Sequence, residues 1–249
     1  MLTKSQIIIL HTIKHGDSGM VVQAYSNVFG RQSLYLRGVS KHSVKFSNIH
    51  KLSILDIVAY TNGTQSMPTI KEINTPYKLI SLKTDIYKSS IAIFISELLS
   101  KCVKEAEQNP ILYNYLSSSI QILEHTTNGI ANFHIHFITH LTKMLGFMPL
   151  DNYSLTTPIF DLSTAKFCAT QHVAKYGSCY LDTSESELLH CLINTPSTNL
   201  EELKINNRVL KINRDIRYNF TKRMIDYLSL HIGNTIEIKS LDILHQIFS

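Results

Sequence analysis

The sequence predicts an α+β protein in which a small five-stranded β-barrel over residues 1–80 precedes an all-α helical domain over residues 81–249. Two observations carry that expectation. Apolar residues recur every second position up to about residue 80 and every three to four positions from about Leu82 onward. The positive charge is also confined to the first part: residues 1–80 hold 9 Lys+Arg against 3 Asp+Glu (net +6), and residues 81–249 hold 15 against 16 (net −1).

The strand-like segments run from Ile7 to Ile13, Met20 to Val28, Gln32 to Val39, Leu52 to Tyr60 and Thr69 to Ile73. Five such segments in eighty residues leave no room for crossover helices, so they close on one another as a barrel. Breaks fall at Gly16-Asp17-Ser18-Gly19, at Phe29-Gly30 and at Asn62-Gly63, a dipeptide suited to a tight hairpin.

In the second part, Ile86, Ile93, Leu98 and Val103 mark the first helical face. Asn109-Pro110 reads as a cap followed by Pro at the first helical position, opening a helix through Leu112, Leu116, Ile120 and Leu123. A third helix spans about Ile130 to Leu145 and stops at Gly146, with Pro149 beyond. Residues 147–182 show no sustained period and contain Pro149, Pro158 and Gly177, so they read as an irregular, partly extended excursion. Ser184-x-x-Glu187 matches a capping box before Leu188, Leu189 and Leu192. A long helix from near Asn207 to Ile232 and a short one from Leu241 to Phe248 close the chain.

Bulk properties narrow the class. A chain of 249 residues buries a sizeable core without disulfides. The N-terminal segment has only four consecutive apolar residues, Ile7 to Leu10, and no cleavage-site pattern, so it is not read as a secretory signal. No later run approaches the roughly 18 apolar residues of a membrane span. Cys102, Cys168, Cys179 and Cys191 form no C-x-x-C pair, which suits free thiols in a reducing compartment. The expectation is a soluble, cytoplasmic protein with no membrane partner.

The residues that point to function begin on the third strand. Arg31, Ser33, Tyr35 and Arg37 alternate with Gln32, Leu34 and Leu36, which places two guanidinium groups and a phenol ring on one face. The following loop adds Lys41, Lys45, Phe46 and Lys51 with no acidic neighbour between Arg31 and Lys51. A solvated strand face explains the strand alone equally well. The uncompensated loop favours phosphate contacts, with the aromatic rings stacking bases.

A second basic element lies in the long C-terminal helix, where Arg208, Lys211, Arg214 and Arg217 recur every three residues. It reads as a solvated face, a second strand-contacting surface or a cradle for an acidic peptide. His134-x-His136-x-x-x-His140 is the one metal-like spacing, with His136 and His140 on one helical face. It lacks the Glu of a zincin and an obvious third ligand, so packed core histidines are the simpler reading and no metal is expected. No phosphate-binding loop, dinucleotide fingerprint or nucleophile elbow is present, so the chain is read as a binder, not an enzyme, with no cofactor. Two rivals remain: a protein-interaction scaffold acting through the helical domain, and a metal-dependent hydrolase built on His136 and His140.

The order Gly16-Asp-Ser-Gly-Met-Val-Val22, Asn27-Val-Phe-Gly-Arg31 and Leu36-Arg-Gly-Val39 with its basic loop resembles the RecO recombination-mediator family. The similarity continues through Leu145-Gly-Phe-Met-Pro149, Phe160-Asp-Leu162 and Lys239-Ser-Leu-Asp-Ile-Leu244, covering nearly the full length. The resemblance implies an oligonucleotide-binding barrel joined to a helical domain, acting in bacterial recombinational repair. It further implies binding of single- and double-stranded DNA, annealing of complementary strands, and action with RecR in helping RecA replace single-stranded DNA-binding protein. The acidic, apolar tail of that binding protein would be recognised by the helical domain. Many members carry a four-cysteine zinc site after the Leu-Gly-Phe landmark. Here that region holds only Cys168 and Cys179, so the expectation is no zinc and an excursion held by packing.

Overall fold

The computed structural model describes residues 2–38, 49–61, 67–171, 179–196, 198–201, 203–205 and 208–248. The chain divides into two compact units, 1–124 and 125–249. Strands give way to helices at about residue 80, as the change of period indicates, but the first two long helices belong with the barrel.

The first unit is built on a closed five-stranded barrel of the oligonucleotide-binding type. Its strands are β1 (Leu2–His15), β2 (Gly19–Ser26), β3 (Gly30–Arg37), β4 (Ile54–Tyr60) and β5 (Thr69–Asn74), in the spatial order β1-β2-β3-β5-β4. All neighbours are antiparallel except β3 and β5, which run parallel where Tyr35 faces Thr69 and Leu36 faces Ile70. β1 is long because it serves two partners. Its first half pairs with β4 and its second with β2, and a register irregularity between Ile9 and His11 lets it bend from one to the other. The Asn62-Gly63 turn lies outside the described residues.

Side chains alternate as the pleat requires. Ile7, Ile9, Val22, Ala24, Leu34, Leu36, Leu55, Ile57 and Ile70 fill the barrel. Ile8 and Leu10 point the other way and are equally buried. Helix α2 (Ile86–Cys102) packs against β1 there, and Ser96 donates a hydrogen bond to the Leu10 carbonyl. The apolar run Ile7–Leu10 is therefore a strand covered on both faces. A short helix α1 (Ser81–Thr84) precedes α2, and α3 (Pro110–His125) follows, opened by Asn109 accepting from the Leu112 amide at 3.0 Å. Gly30 sits at φ +63, and a Cβ there would lie 2.2 Å from the Glu107 carbonyl oxygen, so only glycine lets the segment after α2 approach β3.

In the second unit α4 (Phe133–Met144) is enclosed nearly all round, with Ile135, Phe137, Ile138 and Leu141 buried beside His134 and His136. α5 (Thr183–Asn194) and α6 (Arg214–Ile232) pack on it, and α7 (Ser240–Ile247) packs on α6. The segment read as irregular contains a small hairpin, β6 (Ile159–Asp161) and β7 (Lys166–Cys168). Phe160 and Phe167 meet across it edge to face at 5.0 Å, and Tyr227 of α6 lies 5.8 Å from Phe160.

Two expectations about helix ends are corrected. The capping box is Asp182 with Glu185, each side chain bonded to the other's backbone, two residues before the Ser184–Glu187 pattern; Ser184 instead donates to Asp182 at 2.7 Å. The C-terminal helix does not begin near Asn207. Residues Lys204–Ile205 (β8) and Arg208–Val209 (β9) pair as a hairpin, and α6 starts only at Arg214, where the Asn213 side chain accepts from the Ile216 amide at 2.9 Å. Asp182→Ala is expected to cost about 1 kcal/mol of stability by urea denaturation and Ser184→Ala far less, since only Asp182 satisfies an otherwise unpaired amide.

Candidate nucleic-acid interface

On β3 the inward side chains are Leu34 and Leu36, and Arg31, Ser33, Tyr35 and Arg37 project outward together. The two arginines nevertheless have different fates. The Arg31 guanidinium donates to the carbonyls of Ser100 (3.3 Å) and Val103 (3.1 Å) at the end of α2 and to the Gln23 side chain (3.3 Å). Burial pulls its pKa below the ordinary arginine value. Arg31 thus closes the C-terminus of a helix, and the cation meets the carbonyl end of that helix, where positive charge is favoured. Arg37, at the far end of the strand, is exposed and lies 5.8 Å over the Tyr35 ring.

The register extends this patch across the barrel wall. Tyr35 faces Thr69 of β5, and Thr69 faces Tyr60 of β4. Tyr60 is 37% exposed, and the Lys71 ammonium stands 5.6 Å over its ring. His15 meets Tyr35 edge to face at 5.7 Å. At Gly19 a Cβ would fall 2.2 Å from the Tyr35 hydroxyl, so the glycine leaves room for that ring to lie against β2. The result is an outward strip with two phenol rings, each carrying a cation, beside an imidazole.

Reading the sequence does not single out Tyr60 and Lys71. A signal exists in the spacing of Ile70 and Ile73: both belong inside, and three residues apart they fit a period of two only if the strand bulges. The pairing does shift between Val58 and Ala59, and Lys71 and Glu72 both face solvent.

Of the remaining predicted barrel residues, Lys41, Lys45 and Phe46 lie outside the described residues. They belong to the connection that leaves β3 just beyond Arg37. Lys51 lies apart from the strip that holds Tyr35 and Arg37. It precedes β4, at the opposite end of that strand from Tyr60, and its carbonyl pairs with His50 Nδ1 at 3.0 Å.

The second basic stripe is divided by the β8–β9 hairpin. Arg208 pairs with Glu187, and with Lys211 it lines a cleft of about 400 Å³ whose apolar wall includes Leu188, Val209 and Ile216. Arg214 and Arg217 face a different recess beside His134 and Tyr218. Arg217 donates to the Ile212 carbonyl at 2.9 Å, and burial lowers its pKa. The four residues therefore form two pairs, because a helix phase cannot be carried back through a hairpin.

His136 and His140 do share a face of α4, with rings 6.4 Å apart, but His140 Nε2 is taken by the Thr195 carbonyl at 3.1 Å. Among the described residues no three His, Cys, Asp or Glu side chains gather as a metal site would require. His136 is 1% exposed with neither ring nitrogen hydrogen-bonded, and burial, then the neighbouring His140, lowers its pKa from 6.5 to about 4. The folded chain holds this ring neutral while the unfolded chain protonates it below its ordinary pKa. Its contribution to stability is complete above about pH 6.5 and is lost as pH falls toward about 4, at up to about 1.4 kcal/mol per pH unit. Melting curves across that window are expected to be less steep in pH for His136→Leu than for the parent chain; equal slopes would show that His136 does not carry the effect.

Comparison with known proteins adds to this geometry. The family described as Recombination protein O N terminal matches residues 1–77, and that described as Recombination protein O C terminal matches residues 83–234. Over the full length of both chains, the sequence is 31% identical to the DNA repair protein RecO of Christiangramia forsetii. The corresponding values are 30% for Flavobacterium johnsoniae and 29% for Azobacteroides pseudotrichonymphae. Matches of this extent on both units, over a barrel and helices of the expected kinds, make the chain a member of the RecO family of DNA repair proteins.

Proposed function

We propose that this protein is a non-enzymatic, DNA-binding recombination mediator that works in the cytoplasm on single- and double-stranded DNA. The observation that carries the reading is the outward strip of Tyr35 and Tyr60 with Arg37, Lys71 and His15. Phenol rings offer stacking platforms to any base, and the cations beside them meet phosphates. Lys41, Lys45 and Phe46, which follow Arg37 in the sequence, would add further phosphate and stacking contacts.

Annealing follows from this chemistry. Covering two strands with positive charge removes their mutual repulsion, while contacts to phosphate and to ring faces leave the base edges free to pair. The mechanism requires no base specificity and no bond-making step. The cleft beside Arg208 and Lys211, apolar along one wall and cationic at its rim, suits the acidic, apolar tail of single-stranded DNA-binding protein, and RecR is the further partner that family membership suggests. Engaging that tail while holding DNA on the barrel would let the protein help load the recombinase onto covered strands.

Fluorescence anisotropy of a labelled single-stranded oligonucleotide at several salt concentrations tests the barrel. Arg37→Glu/Lys41→Glu is expected to weaken binding to all sequences alike and to flatten the salt slope by about 1.4, at roughly 0.7 per lost phosphate contact. Arg31→Ala, which loses its carbonyl partners in α2, is expected to lower stability and leave affinity unchanged. Unchanged affinity in the double variant would place the DNA site elsewhere. Tyr60→Ala is expected to lose about 1–3 kcal/mol of binding with the salt slope intact, because stacking is not ionic.

A further inference from the structure

A cleft of about 320 Å³ opens where β4 begins and β5 ends, away from the strip on the barrel wall. His50, Lys78 and Lys83 line it together with the hydroxyl-bearing Ser53, Thr75 and Tyr77. None of its described lining residues is a carboxylate. Glu124, the acidic group that acts on His50, has its oxygens committed to the amides of Ser81 (2.9 Å) and Leu82 (3.0 Å). Three basic and three hydroxyl-bearing residues lining one recess suit a tetrahedral oxyanion: the lysines can meet its charge and hydroxyls can donate to its oxygens.

His50 is held for this use. Its Nδ1 faces the Lys51 carbonyl, which can only accept, so the hydrogen sits on Nδ1 and Nε2 carries the lone pair of the neutral ring. Burial lowers its pKa, against the pull of that hydrogen bond. The Lys83 charge lowers it further and Glu124 opposes. An anion in the recess would offset the lysine charge and draw the ring toward its protonated, doubly donating form. Chain continuity ties the recess to the strip, because the basic connection that leaves β3 after Arg37 re-enters the described chain at Ile49, next to His50.

We infer that this cleft is a phosphate-binding subsite, formed by His50, Lys78 and Lys83, that takes a backbone phosphate of a strand bound to the barrel. The strand as the source of that phosphate rests on the DNA-binding reading above; the affinity of the cleft for phosphate does not.

The test follows the His50 ring signals of the full chain by NMR, identified by their loss in His50→Gln, during titration with inorganic phosphate. A saturable shift that disappears in Lys78→Gln/Lys83→Gln is expected; both lysines are exposed, so the substitutions spare the fold. No saturable shift, or a shift that survives in the double variant, would overturn the subsite. In parallel, the double variant is expected to flatten the oligonucleotide salt slope by about 1.4. A phosphate response with an unchanged slope would overturn the strand as the source and assign the site to free phosphate. Absence of any oligonucleotide binding by the parent chain would defeat the DNA-binding reading and with it the strand as the source, while the phosphate titration still decides whether the cleft binds phosphate.

Discussion

The first unit depends on one short apolar run being buried on both sides. Ile7 and Ile9 fill the barrel while Ile8 and Leu10 are covered on the outside, where α2 packs against β1. Such a strand is held firmly in register, since a slip by one residue would carry Gln6 or His11 into an apolar position at one end of the run. The hydrogen bond from Ser96 to the Leu10 carbonyl adds a direction to this packing. With β1 held, β4 can close the barrel on its first half and β2 on its second. The strip on β3, β4 and β5 keeps its polar and aromatic side chains on the outside of the closed wall.

The division between structural and binding roles on β3 follows from that arrangement. Arg31 and Arg37 are the same residue type on the same face of one strand. The first lies where the end of α2 and the following segment cross the strand, so its guanidinium is spent on carbonyl groups at a helix end, where the intrahelical ladder runs out. The second lies beyond that crossing, exposed, with its guanidinium over the Tyr35 ring. Under the proposed function, the two tyrosines with one cation each would supply the stacking and phosphate contacts of non-specific strand binding.

The second unit shows what enclosure does to polar side chains. α4 is surrounded, so His134 and His136 are drawn inside whatever their chemistry, and the His136–His140 spacing holds two stacked rings of which His140 is bonded to the Thr195 carbonyl. The β8–β9 hairpin has a comparable effect on charge. By pairing Arg208 with Glu187 and delaying the helix start to Arg214, it turns an apparent four-residue stripe into two separate surfaces, one of which borders an apolar cleft.

Much of this was legible in the sequence because it depends on short-range periodicity. The five strands, the change of period near residue 80, the Asn109 cap, the helix stop at Gly146 and the outward face of Tyr35 and Arg37 follow from alternation, glycine and side-chain capping, all set within a few residues. The family was legible for the same reason, from short segments in a fixed order. The tertiary structure alone decided what each exposed-looking group meets: that Arg31 touches a helix end, that Tyr60 and Lys71 join Tyr35 through β5, that Lys51 lies apart from them, and that Asp182, not Ser184, caps α5. Those outcomes depend on which segments the closed barrel and the enclosed helix bring together across dozens of residues, and local spacing carries no record of such long-range neighbours.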